Sequence, residues 1–182
     1  MAEDSLRTLA RHLDVPERTL RRAASDGLVH GRRVSQRRYK TTLREEAYLR
    51  DHWALLRALR GALRTEPNVR LAVLFGSLAI GAEIDRSDVD LFVVVRDGDA
   101  VPVAALAERL RDRLGRDVQV VRAEDALDLP VLMIDVLEHG RVLVDRDKSW
   151  PGLKAAERAW RDRAQAAENV ALEDAMPDLD VG

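Results

Sequence analysis

The stretch Val73–Val95, VLFGSLAIGAEIDRSDVDLFVVV, decides the fold of this chain. An apolar run from Leu71 to Phe75 reads as a buried strand and delivers Gly76 and Ser77. Ten residues separate Ser77 from Asp88, Asp90 follows, and a second apolar run spans Leu91 to Val95. Two predicted strands therefore bracket one site.

The residue types at that site carry a chemistry. Gly76 lets the backbone pass close to a bulky anion, and Ser77, at the mouth of a predicted helix, offers a hydroxyl and N–H groups to a phosphate. Side chains two apart on a strand project together, so Asp88 and Asp90 share a face. Hard divalent ions such as Mg²⁺ or Mn²⁺ take carboxylate and phosphate oxygens, which makes Asp88 and Asp90 the candidate metal ligands. A carboxylate pair beside a phosphate cradle points to metal-assisted nucleotidyl transfer.

Gly76, Ser77, Asp88 and Asp90 at this spacing resemble the glycine-serine plus Asp-x-Asp signature of the DNA polymerase β-like nucleotidyltransferases. The chain is most similar to their compact minimal nucleotidyltransferase group, over residues 68–145. The resemblance implies a small mixed β-sheet with flanking helices, an NTP as substrate or ligand, metal on Asp88 and Asp90, and Gly76 and Ser77 cradling the triphosphate. It also implies an antitoxin role, because minimal nucleotidyltransferases often accompany a protein toxin carried on a separate polypeptide. Active members usually add a third carboxylate on the third strand, and the matching position here is Gln119, which cannot serve as a general base. Asp117 lies two residues earlier on the same strand face, displaced by about 6 to 7 Å, and is the remaining candidate for a third catalytic acid.

Composition sets the wider frame. The 182 residues hold one generous domain or two small ones, with ample apolar content for a core, and two is the reading adopted. There is no cysteine, so disulfides and thiolate metal sites are excluded. The N-terminus lacks an apolar signal core and no apolar run approaches membrane-spanning length, so a cytoplasmic protein without a membrane partner is expected. The net charge of −2 conceals an asymmetry: residues 1–45 carry eleven Lys or Arg against six Asp or Glu, net +5, leaving −7 for the remainder. The basic end is the face for a polyanion. All basic residues but Lys40, Lys148 and Lys154 are Arg, a usage that a GC-rich genome also produces.

The fold class expected is α+β: an N-terminal winged helix-turn-helix over 1–42, a connector helix over 43–66, the nucleotidyltransferase-like domain over 67–147, a C-terminal helix over 148–172 and an acidic tail over 173–182. Leu6, Leu9, Ala10 and Leu13 share one helical face. Asp14 reads as the N-cap of a second helix, with Pro16 in its first turn, Glu17 three residues after the cap, and Gly27 as its stop. Arg18, Arg21 and Arg22 recur at three-four spacing on that helix, as on a recognition helix, and Arg32, Arg33, Arg37 and Arg38 fall in a predicted β-hairpin wing that reaches adjacent phosphates. DNA is the partner this implies. The connector shows an apolar stripe at Ala47, Leu49, Trp53, Leu56, Ala58 and Leu59, spread over more than one seam, which predicts packing against both neighbours or a homodimer partner. Strands are expected over 70–75, 89–95, 117–121 and 141–144, with helices over 77–82, 103–114, 129–137 and 153–172.

Other polar residues carry weaker signals. Glu83 and Asp85 precede Asp88 in a loop, where solvation is the simpler reading. His12, His30, His52 and His139 show no ligand spacing, and Asp135, in an apolar helix, caps or pairs internally. Three readings remain: the first is a nucleotidyltransferase with a DNA-binding unit, and the second a non-catalytic DNA-binding regulator whose degenerate site senses or retains nucleotide. A third treats the long and C-terminal helices as a dimer or toxin-binding scaffold.

Overall fold

Apolar spacing at the start of the chain yields two short helices, in a computed structural model that describes residues 5–35, 38–82, 88–96 and 103–175. Helix α1 (Ser5–His12) buries Leu6, Leu9 and Ala10, and helix α2 (Glu17–Asp26) buries Leu20 and Ala23. Asp14 is not the cap of α2. It sits in a left-handed turn with φ 49°, Pro16 occupies the N-cap position, and no side chain caps the helix. The fixed φ of proline starts the helix after Pro16, two residues beyond Asp14, and the Glu17 carboxylate is taken by Arg21 at 2.6 Å and Arg7 at 3.2 Å. Gly27 ends α2 in the left-handed region at φ 87°, its N–H returning to the last turn.

A two-stranded hairpin follows, β1 (Arg32–Arg33) antiparallel to β2 (Tyr39–Lys40), and Arg37 lies outside the described residues. Thr42 then caps α3 (Leu43–Arg64) by accepting the Glu45 N–H at 3.1 Å, with Glu45 and Glu46 in the positive first turn. The apolar stripe of α3 differs from expectation: Ala47 and Ala58 are exposed, and one seam of Tyr48, Leu49, Trp53, Leu56, Leu59 and Leu63 is buried. The two alanines supply helix propensity on the solvent side and no packing.

The sheet is built from β3 (Val69–Phe75), β4 (Val89–Val95), β5 (Val118–Arg122) and β6 (Arg141–Asp145), in the order β5-β4-β3-β6. β3 runs antiparallel to β4 and β6, and β4 parallel to β5, so the sheet is mixed. A parallel pair needs a crossover, and α5 (Val103–Leu114) provides it. The helices α4 (Gly76–Ile80), α6 (Ala123–Ala126), α7 (Pro130–His139), α8 (Trp150–Ala155) and α9 (Glu157–Ala175) complete the described elements. The expected single helix over 153–172 is thus two, parted at Ala156.

Alternation along the strands divides the core in two. Ala72, Leu74, Leu91 and Val93 face a cluster with Leu20, Leu49, Leu56, Leu106 and Leu110, so the N-terminal helices, α3 and α5 pack on one face. Leu71, Val73 and Phe92 face Met133, Val136, Leu137 and Trp160, so α7 and α9 cover the other. Among the described residues no helix is long and apolar enough to cross a membrane.

A buried ion pair fastens the first elements to the sheet. Arg141, at the start of β6, donates to the Glu45 carboxylate at 2.7 and 2.8 Å, to Leu28 O at 3.2 Å and to Ala79 O at 2.7 Å, with its guanidinium 3.6 Å above the Tyr48 ring. The two side chains are only 3% and 6% exposed, so each depends on the other for compensation. Glu45 also accepts the His30 N–H at 2.8 Å, while the His30 ring meets Gly140 O at 3.0 Å.

Candidate active site

Strand register assembles the site. Phe75 pairs with Asp90 across β3 and β4, and Asp90 pairs with Gln119 across β4 and β5, so the exit of β3, the second Asp and the Gln stand side by side. Leaving β3, the chain turns at Gly76 with φ 73°, and Leu78 and Ala79 anchor α4 in the core. A Cβ at Gly76 would meet Asp90 Oδ2 at 2.6 Å. The anion that this glycine admits is therefore the protein's own carboxylate, and the Gly-Ser turn and the Asp-x-Asp strand form one unit. Ser77, next to Gly76, is partly exposed.

Asp88 and Asp90 differ in their surroundings. Asp88 Oδ2 accepts a hydrogen bond of 2.8 Å from the Gln119 amide. A carboxylate only accepts, which fixes the amide with its NH₂ toward Asp88. Asp90 is half-buried, and its pKa lies above the ordinary carboxylate value, chiefly through burial and then through the charges of Asp88 and Asp135. No Lys, Arg or His is ion-paired to Asp88, Asp90 or Asp135 among the described residues.

Asp135, read from sequence as capping or pairing internally, is brought into this site. Its Oδ2 accepts the Gly76 N–H at 3.0 Å from α7, on the sheet face that Asp90 shares. The sequence signal was a lone acid in the apolar helix PVLMIDVLEH; what it would cap required the tertiary fold. Asp117 goes elsewhere. It precedes β5, is 70% exposed and pairs with Arg111 of α5 at 3.1 Å, and it is not among the groups that raise the Asp90 pKa. Glu83 and Asp85 lie outside the described residues. Among the described residues no three His, Cys, Asp or Glu side chains are grouped to hold a metal.

The basic residues fall on two clefts. Arg21 of α2 and Arg33 and Arg38 of the hairpin line one of about 140 Å³, with Ser25, Ser35 and Tyr39. Arg22 lines a second, of about 490 Å³, with Arg60, Arg64, Arg146 and Lys148 against Asp26 and Asp145. Arg18 and Arg32 are exposed outside both. The second cleft was not foreseen, because its cations come from α2, the end of α3 and the segment after β6.

Comparison with known proteins places the fold. A toxin–antitoxin complex crystallised with AMP-PNP contains a chain 26% identical, matched over 67% of this chain and 98% of that one with a TM-score of 0.55. The MntA–HepT toxin–antitoxin structure (24% identity, 69% and 99% covered, TM-score 0.53) and a protein from Shewanella oneidensis (20%, 68% and 98%, 0.51) share the fold. Comparison with curated proteins finds no match. The family model described as "Polymerase beta, Nucleotidyltransferase" matches residues 58–149, half of the sequence and all of the Gly-Ser and Asp-x-Asp unit, and the chain belongs to that family.

Proposed function

We propose that the protein is a divalent-metal-dependent nucleotidyltransferase that moves a nucleoside monophosphate from an NTP to a hydroxyl, and that it acts as the antitoxin partner of a protein toxin. The observation that carries the reading is the carboxylate of Asp90 lying where Gly76 lacks a side chain, which makes the turn and the Asp-x-Asp strand one constellation. The donors suit a hard ion, since Asp88 and Asp90 offer only oxygen and no protein cation neutralises them among the described residues. Bound there, Mg²⁺ or Mn²⁺ would supply Lewis-acid stabilisation of charge on the phosphates. Ser77 offers its hydroxyl to the triphosphate at the exposed rim of the turn. Gln119 has no proton-accepting group and acts by orienting Asp88 through the 2.8 Å bond. The antitoxin assignment rests on the likeness to the toxin–antitoxin complex solved with AMP-PNP.

The test is incubation with α-labelled NTP, Mg²⁺ or Mn²⁺, and the product of the neighbouring gene. Label appears on the acceptor, and Asp88→Ala plus Asp90→Ala abolishes it. Nucleotide binding without transfer to any acceptor would sink the enzymatic reading in favour of a non-catalytic regulator, which Gln119 at the third-acid position favours.

We further infer that α1, α2 and the β1–β2 hairpin act as a winged helix-turn-helix on DNA, in the cytoplasm. The supporting observation is that Arg21, Arg33 and Arg38, distant in sequence, line one cleft, while Arg18, Arg22 and Arg32 are exposed on α2 and β1. Replacing Arg18, Arg21 and Arg22 by Ala weakens DNA binding and reduces its salt slope. An unchanged slope removes the assignment.

A further inference from the structure

We propose that Asp135 is a positioning residue of the nucleotide cradle, acting through the Gly76 N–H. The inference rests on the nucleotidyltransferase reading of the same site.

The Gly-Ser turn has little of its own to hold it. Phe75, at the N-cap position of α4, is extended and makes no side-chain cap bond, and α4 is only five residues long. The conformation at Gly76 is one that glycine visits freely in either hand, so the residue that satisfies the turn geometrically leaves it loose in conformational terms. Among the described residues, two contacts remove that freedom. From the strand side, Asp90 Oδ2 fills the space a side chain would take. From the opposite element, α7, Asp135 Oδ2 accepts the Gly76 N–H at 3.0 Å. A charged acceptor makes this one of the stronger bonds available to a backbone amide.

The anchor is itself held. Met133, Val136 and Leu137, flanking Asp135 on α7, are buried against the sheet face that carries Phe75 and Phe92. Thus α7 is fixed by packing, Asp135 by α7, and Gly76 by Asp135, which sets the direction in which Ser77 leaves the sheet. Asp135 also adds its charge to the field at Asp90, and a variant that keeps the acceptor while losing the charge separates that effect from the anchor.

The role separates an acceptor from a charge. Asp135→Asn retains an oxygen for the Gly76 N–H, and Asp135→Ala retains none. In full-length protein, titrated calorimetrically with AMP-PNP in saturating Mg²⁺, Asp135→Ala weakens binding tenfold or more, and Asp135→Asn stays within threefold of wild type. In ¹H–¹⁵N spectra without nucleotide, the Gly76 amide proton moves upfield in the Ala variant, by more than in the Asn variant, while resonances from α1, α2 and α5 stay in place. Wild-type affinity in the Ala variant overturns the proposal, as does an Asn variant as weak as Ala. Tighter binding in the Ala variant also overturns it, by showing that Asp135 competes with phosphate for the Gly76 N–H. If wild-type protein binds no AMP-PNP the enzymatic reading falls instead, and the Gly76 shift alone decides the anchor: movement in the Ala variant supports it and no movement overturns it.

Discussion

Substituting Gly76 by Ala tests the claim that turn and strand are one unit. The new methyl would lie 2.6 Å from Asp90 Oδ2, with Asp90 Cγ and Cβ at 3.4 and 3.5 Å. Ordinary contact begins at 3.4 Å, so the carboxylate oxygen must withdraw by about 0.8 Å. Holding Ala at φ 73° costs about 1–2 kcal/mol, and forcing the Asp90 side chain off its rotamer about 0.5–1.5 kcal/mol more. Urea denaturation should therefore show a loss of about 1.5–3.5 kcal/mol, which a chain of this size survives. Function should suffer more, because a displacement of about 1 Å at a reacting group costs on the order of 100-fold. Calorimetric titration with Mg²⁺ and AMP-PNP measures the part of that loss that falls on ground-state binding to folded protein. The control is Gly61→Ala, in the last turn of α3 with nothing within 4 Å, which should stabilise by up to about 0.5–1 kcal/mol and leave nucleotide binding alone. Wild-type nucleotide affinity in Gly76→Ala would refute the reasoning, since Asp90 cannot keep its place beside that methyl.

Three further outcomes follow from particular contacts. Glu45→Ala strands the buried Arg141 guanidinium and should cost about 3–5 kcal/mol in chemical denaturation, much of which Glu45→Leu with Arg141→Met recovers. Gln119→Glu replaces a donor to Asp88 by a like charge: without divalent ions it should destabilise by about 1 kcal/mol, and Mg²⁺ should raise its melting temperature more than that of wild type. Burial, then the Arg141 charge, holds the His30 pKa below its ordinary value of 6.5, against the opposing effect of Glu45. The unfolded chain then binds the proton more readily, so the stability contributed by neutral His30 is present above pH 6.5 and lost as pH falls below it; melts from pH 7.5 to 5.5 should show a shallower decline in His30→Gln.

What could be read from sequence is what local periodicity controls. The apolar runs around Gly76 and Asp90 fixed strand identity, and the period of two put the acids on one face. The third-acid position at Gln119 came from the family resemblance and not from periodicity, and the register sets that residue opposite Asp90. Reasoning along one element failed where a partner from another element decides. Asp14 looked like a cap until Pro16 set the helix start, and Ala47 and Ala58 looked like core by hydropathy although the seam of α3 excludes them. Asp117 shares strand parity with Gln119, yet it stands ahead of β5, where Arg111 captures it. Asp135 is the converse, since no period in α7 could reveal the amide it meets 59 residues away.

The buried Arg141 links these two kinds of information. Its Nε bonds Ala79 O on α4, its Nη1 bonds Leu28 O just beyond α2, and the fork closes on Glu45 in the first turn of α3. The short helix that carries Ser77 is thus held at its far end by a residue whose counter-charge comes from α3, and at its near end by Asp135 from α7. The Gly-Ser turn and the arginines of α2 belong to different elements. Here a single guanidinium touches the backbone of both, so a displacement of Leu28 cannot leave Ala79 unaffected unless a bond in a nearly dry environment is broken, and breaking it leaves a buried donor and a buried carbonyl unsatisfied. The connection between the basic end of the chain and the Gly-Ser turn is therefore set by the geometry of one side chain as much as by the length of α3.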